Sequence, residues 1–213
     1  MYPETISIDT VVFDLGGVLV DWNPRHLYRK IFRNDEAAME SFLSDVCNTA
    51  WNEQQDRGRP WSEAISEAIS HHPSHEANIR VYRERWDEML SGAMVGTVEI
   101  LNELQLGGIR LVALTNWSAE TFHYAERRFE FLKKFEGVLV SGKEGLIKPE
   151  PEIFQLLLHR YSLAPRRTLF IDDVEKNVAA ARAQGMLAVR FTDADQLRSD
   201  LVTLGLPVAS GRE

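Results

Sequence analysis

The sequence predicts an α/β protein: a doubly wound parallel sheet with an all-helical segment inserted after its first strand. Three observations carry that expectation. Short apolar runs rich in β-branched residues recur between longer helical patterns. Segments of crossover length separate the last four runs, as βαβ units require. A long interval after the first run shows only helical periodicity.

Taken in order, residues 10–15 form the first expected strand and Arg110–Thr115 the second. Gly137–Val140, Thr168–Asp172 and 188–191 complete the sheet, with crossover helices around 151–161 and 174–184. Gly185 follows the second of these, where a left-handed glycine commonly closes a helix. Between the first two strands, helical patterns fall at 25–32, 36–46, 61–69 and 76–90, while Val95–Leu106 supplies the crossover helix. The interval is too long for one crossover, so 22–93 is expected to stand off the sheet as a helical cap, with 1–21 and 94–213 forming the core. Its entry lies at the carboxyl end of the first strand, where open α/β sheets bind ligands, so a lid over the site is expected. Residues 209–213 read as a frayed end.

Composition narrows the function classes. Hydrophobic residues make up 44% and charged residues 26% of the 213, the balance of a folded globular chain. A net charge of -8 without a Lys/Arg block argues against nucleic acid or an anionic membrane as partner. Arg127-Arg128 and Arg166-Arg167 read as solvated element ends. The single cysteine, Cys47, cannot form an internal disulfide and reads as a buried small hydrophobe in a reducing compartment. Residues 1–10 carry no leader pattern, and no run approaches the roughly 20 apolar residues needed to span a bilayer, so a cytoplasmic protein is expected. Monomer and homodimer both remain open.

Four strands end in polar residues that a parallel sheet would gather on one edge: Asp14, Thr115 with Asn116, Lys148, and Asp172 with Asp173. A carboxylate nucleophile, a hydroxyl and amide, a cation and an acidic pair are the parts of a phosphoryl-transfer site. Two adjacent acids after an apolar strand repel each other, and a bound cation gives a reason to keep them. Gly-rich dinucleotide loops, Walker-type loops and Gly-x-Ser-x-Gly elbows are missing from the sequence.

In Phe13-Asp14-Leu15-Gly16-Gly17-Val18-Leu19, Leu114-Thr115-Asn116, Lys148-Pro149 and Phe170-Ile171-Asp172-Asp173 with Asn177, the chain resembles the haloacid dehalogenase-like (HAD) hydrolases. The resemblance spans about 10–191 and is nearest the subgroup with Asp-Leu-Gly-Gly in its first motif, which includes glucose-1-phosphate phosphatase-like enzymes. It implies a Rossmann-like core with a helical cap and hydrolysis of a small phosphorylated metabolite, most simply a sugar phosphate. It also implies that Asp14 attacks phosphorus to give an aspartyl-phosphate. Mg2+ would be held by Asp14, the Gly16 carbonyl and Asp173, with Asp172 or Asn177 through water. Thr115 and the Asn116 amide would bind phosphate oxygens, and Lys148 would offset charge in the transition state.

Gly16 departs from the pattern of most phosphatases of this family, which carry there an aspartate that protonates the leaving oxygen. A cap residue, a metal-bound water or an undemanding leaving group could stand in, and Asp21 is a further candidate. Trp51, Gln54, Gln55 and Arg57 precede Gly58 in a stretch that reads as a substrate loop. There Arg57 would pair with a second anionic group and Trp51 would stack on a sugar, unless Trp51 and Trp61 form cap core. His71, His72 and His75 read as solvated loop. Two rival readings are a metal-free 2-haloacid dehalogenase using the same aspartate, against which the Asp172-Asp173 pair argues, and a phosphate-binding protein with weakened catalysis.

Overall fold

The computed structural model describes residues 7–210; residues 1–6 of the N-terminal stretch and 211–213 of the expected frayed end lie outside them. The first half of the chain runs β1 (Thr10–Phe13), β2 (Val20–Trp22), α1 (Arg25–Ile31), α2 (Glu36–Asp45), α3 (Thr49–Asp56), α4 (Trp61–His71), α5 (Glu76–Glu84) and β3 (Leu90–Ala93). The second runs α6 (Val95–Leu106), β4 (Arg110–Thr115), α7 (Phe122–Arg128), β5 (Gly137–Val140), α8 (Ser141–Glu144), α9 (Pro151–Arg160), β6 (Thr168–Asp172), α10 (Glu175–Ala183), β7 (Leu187–Arg190) and α11 (Ala194–Thr203).

The sheet is parallel throughout, in the order β5-β4-β1-β6-β7. The three inner strands β1, β4 and β6 are buried on both faces, so their apolar runs are continuous rather than alternating. Side chains still point alternately. Val11, Phe13, Leu111, Ala113, Leu169 and Ile171 pack into the core shared with the helical insert. Val12, Val112, Leu114 and Phe170 pack on the opposite face against Ile153, Phe154 and Leu157 of α9. With β1 central, β4 and β6 lie on either side of it, and the chain leaves in opposite directions at their carboxyl ends. That topological switch point is where such sheets open a crevice.

The insert departs from the sequence expectation in three places. An antiparallel ribbon of β2 and β3 ties its entry to its exit, where only helix was expected. The helix expected over 76–90 stops at Glu84, and Trp86–Met89 forms a 3-10 turn leading into β3. The expected loop before Gly58 is instead helix α3, started by Asn48, whose side chain accepts a hydrogen bond from the Trp51 N–H. Helices α1 to α5 share a dense aromatic core, with Tyr28, Phe42, Trp51, Trp61 and Tyr82 in mutual ring contact. Cys47 is buried beside it. No helix among the described residues is long and apolar enough to cross a membrane.

Candidate active site

The parallel register brings the polar strand ends together. Asp14 follows β1 directly, and its main-chain N–H donates to the Ile171 carbonyl of β6 at 2.8 Å. Lys148 Nζ lies 2.9 Å from Asp14 Oδ1 and 2.7 Å from Asp172 Oδ2, and it also donates to the Leu114 carbonyl at 3.1 Å. All three side chains are buried. Asn116 fixes the lysine by pairing with its peptide: Nδ2 donates to the Lys148 carbonyl and Oδ1 accepts from the Lys148 N–H. Thr115, also buried, ends β4 beside it.

The two acids after β6 differ. Asp172 is saturated: Oδ2 accepts from Lys148, Oδ1 accepts from the Val174 N–H, and Asn177 Nδ2 donates to both oxygens. The sequence grouped Asp172 with the metal ligands, but its hydrogen bonds make it the anchor of Lys148 and Asn177. Asp173 is half-buried, and its carboxylate has no side-chain donor among the described residues. Asp14 is intermediate: Oδ1 takes the Leu15 N–H at 2.7 Å and Lys148, while Oδ2 has no protein partner among the described residues. One carboxylate oxygen is therefore held and the other is free.

The charges do not balance. Asp14, Asp172 and Asp173 each offer an oxygen within 4.8 Å of the others, against a single ammonium. Burial pushes the Asp14 carboxyl up to about 7, Lys148 pulls it back, and Asp172 and Asp173 add to the rise. Asp173 is also raised, by burial and then by Asp172 beside it. For Lys148, burial acts downward, but the two carboxylates more than offset it and hold the ammonium above its ordinary value. Asn177 adds a second imbalance. Both Asp172 oxygens fix its Nδ2, so its Oδ1 faces the other way, buried and without a donor among the described residues. An excess of oxygen anions plus an orphaned acceptor fits a hydrated hard cation such as Mg2+.

Beside this cluster, a chamber of about 40 Å³ is lined by Gly16, Trp22, Asn52, Asp56, Trp86, Asn116 and Trp117. The indole N–H groups of Trp22 and Trp117 have no acceptor among the described residues. A larger cleft of about 390 Å³ shares Trp22, Asn52, Asp56 and Asn116 and extends to Leu43, Cys47 and Tyr82. Sequence reasoning did not single out Asn52 or Asp56, and Trp22 and Trp86 read equally well from the sequence as a dimer contact or as burial within the cap.

The insert residues it did single out lie elsewhere. Trp51 stands in the aromatic core of the insert, edge-on to Trp61 and Tyr82, and does not line the cleft. Arg57 makes a two-pronged pair with Glu150, at 2.9 and 2.5 Å, which occupies its guanidinium at the surface. Asp21 pairs with His26 at 2.9 Å, and neither residue lines the chamber or the cleft. Trp51 and Arg57 thus give up their expected substrate contacts, one to packing and the other to an ion pair between insert and core.

Comparison with known proteins agrees with this architecture. The chain is 26% identical over 190 residues to a sesquiterpene phosphatase of Aspergillus oryzae, covering 88% of this chain and 91% of that protein. It is 28% identical over 191 residues to a phosphorylated carbohydrates phosphatase of Thermotoga maritima, covering 84% and 82%. The fold is shared with a HAD family enzyme of Bacteroides thetaiotaomicron solved as a magnesium complex, with a TM-score of 0.69 at 21% identity over 92% of this chain and 98% of that one. It is also shared with an L-2-haloacid dehalogenase of Xanthobacter autotrophicus, with a TM-score of 0.64 at 17% identity over 92% and 83%. Residues 8–185 match the sequence model of the haloacid dehalogenase-like hydrolases, and the chain belongs to that family of hydrolytic enzymes.

Proposed function

We propose that the protein is a magnesium-dependent phosphatase acting on a small phosphorylated metabolite through covalent catalysis by Asp14. The observation that carries this reading is the uncompensated acidic cluster: three convergent carboxylates, one ammonium, and a nucleophile with one oxygen free. A halide-displacing enzyme needs no such anionic excess, and a binding protein gains nothing from a free nucleophilic oxygen opposite a buried lysine.

In this reading Asp14 Oδ2 attacks phosphorus, while the Leu15 N–H and Lys148 hold Oδ1 and fix the carboxylate plane. Asp14, the Gly16 carbonyl and Asp173 would hold the cation, which when bound neutralises the repulsion between carboxylate and phosphate. Thr115 and the main-chain amide of Asn116 would receive the phosphate oxygens. Lys148, kept charged by Asp172, stabilises the anionic transition state. Residues 22–93 would act as the lid, and the cleft beneath them would hold the leaving group.

The similarity to a phosphatase of phosphorylated carbohydrates supports a sugar phosphate. The aromatic walls of the cleft and the similarity to a sesquiterpene phosphatase make a prenyl phosphate the competing substrate class. The test is phosphate release from sugar phosphates, a prenyl phosphate and p-nitrophenyl phosphate, in Mg2+ or EDTA, by wild type and Asp14→Asn. Turnover that needs Mg2+ and vanishes in the variant is the expected result. Halide release from a 2-haloacid, with every phosphate inert, would overturn it.

A further inference from the structure

Glycine at position 16 leaves the chemistry short of a proton. When Asp14 displaces the leaving oxygen of an alkyl phosphate, that oxygen departs as a strongly basic alkoxide unless an acid protonates it in the same step. No heavy atom outside its own chain neighbours lies within 4 Å of a Cβ built on Gly16, so the space beside the nucleophile is open.

One titratable side chain lines both the chamber at Gly16 and the larger cleft: Asp56, the last residue of α3. Its competitors in the cleft are engaged or unsuited. Glu53 pairs with Lys176 at 3.2 Å, and Arg25 pairs with Glu40. Burial pushes the Cys47 thiol up to about 12 and carries the Tyr82 phenol well above its usual range. Asp56 is held in place from both sides. The Tyr82 hydroxyl donates to Asn52 Oδ1, Asn52 Nδ2 donates to Asp56 Oδ2 at 2.9 Å, and the Ser118 main chain lies against the same carboxyl.

Its backbone is clamped to the core. The Asp56 carbonyl accepts from Ser141 Oγ, which in turn accepts from the Trp117 N–H. Two residues on, Gly58 at φ +109° packs so closely on Gly142 that a Cβ would sit 3.0 Å from its carbonyl oxygen.

We propose that Asp56 is the catalytic general acid of this enzyme, delivered from the insert to the leaving oxygen across the space left by Gly16. The assignment rests on the phosphatase reading above. In the first half-reaction the Asp14 oxygen bonds to phosphorus, the bond from phosphorus to the leaving oxygen breaks, and the Asp56 proton passes to that oxygen to give a neutral alcohol. In the second, the Asp56 carboxylate takes a proton from the water that attacks phosphorus. The bond between the Asp14 oxygen and phosphorus breaks, inorganic phosphate leaves, and the Asp14 carboxylate and protonated Asp56 are restored. Burial, which pushes the Asp56 carboxyl up to about 7 against the lowering influence of the Ser118 main chain, suits a group that must give up and regain a proton near neutrality.

The test is leaving-group dependence, because p-nitrophenolate departs without a proton and an alkoxide does not. Wild type and Asp56→Asn are assayed in Mg2+ on p-nitrophenyl phosphate and on n-butyl phosphate. The variant is expected to lose roughly 100-fold or more in kcat/KM, which reports the first half-reaction alone, on the alkyl ester and less than about 10-fold on the aryl ester. Retained aryl turnover also reports that the variant is folded. Equal losses on both esters, or no loss on the alkyl ester, overturn the role of Asp56 and leave the phosphatase reading standing. Absence of aryl turnover by wild type overturns the phosphatase reading and the role of Asp56 with it.

Discussion

Replacing Lys148 with methionine removes the buried cation of the acidic cluster and keeps the length of the side chain. In wild type its ammonium sits 2.9 and 2.7 Å from two carboxylates that, like it, are almost completely buried. Breaking a buried pair by deleting one partner costs about 3–5 kcal/mol, because the charge left behind is unsolvated. For a chain of this size that corresponds to a fall in Tm of roughly 6–20 °C. The pH dependence has a definite sign. Burial already places the folded-state value for Asp14 above its unfolded one, and Lys148 acts to lower it. Without the lysine the folded value rises further, so the folded state holds a proton that the unfolded chain has lost. The resulting cost is absent below the unfolded value of 3.8 and grows as pH rises through about 7. Thermal unfolding followed by circular dichroism in EDTA should therefore show a larger loss at pH 8 than at pH 5, and millimolar Mg2+ should recover part of it at pH 8. A Tm within about 2 °C of wild type at pH 8, or the same loss at both pH values, would refute the charge argument.

Gly17→Ala forces a side chain onto a residue at φ +76° and places Cβ 2.6 Å from Asp173 Oδ2; it should cost about 1–2 kcal/mol and weaken Mg2+ binding at least tenfold, read by metal-dependent thermal shift. Asp173→Asn should raise Tm in EDTA, since it removes one of the crowded carboxylates, while abolishing most of the stabilisation that Mg2+ gives wild type. A higher Tm in EDTA with undiminished stabilisation by Mg2+ would exclude Asp173 as a ligand. Arg57→Ala breaks a pair with Glu150 that is more than a third exposed on the arginine side, so chemical denaturation should register no more than about 1 kcal/mol. KM for a sugar bisphosphate, which carries a second anionic group, should stay within about twofold, whereas a large rise in KM would return Arg57 to substrate binding.

The sheet was legible in the sequence because each strand is a local run of apolar, β-branched residues, and Arg110–Thr115, Gly137–Val140 and Thr168–Asp172 begin and end where those runs do. The β2–β3 ribbon was not legible, since Val20-Asp21-Trp22 and Leu90-Ser91-Gly92-Ala93 are too short to show a period and find each other only after the insert folds. Helix α3 was missed for a different reason. Its inward-facing Gln55 is fully buried yet polar, satisfied by donating to the Trp51 carbonyl and accepting from Arg59 Nε, so the apolar stripe that marks a helix is interrupted.

The same division runs through the site. Asp14, Thr115, Asp172 and Asp173 stand at strand ends, where sheet register alone brings them together, and chemistry-bearing residues at such ends can be read before any tertiary contact is known. Asp56 has no such address. It is one acid in a polar stretch, and only long-range contacts set it over Gly16: Trp61 Nε1 donating to Ser118 Oγ at 2.9 Å, Ser141 holding the Asp56 carbonyl, and Arg57 paired with Glu150. A proton donor carried on the insert is in place only while those contacts hold. On the role proposed for Asp56, closure of the insert over the cleft and departure of the leaving group would be one event, and a water entering with those contacts open would meet a nucleophile without its acid.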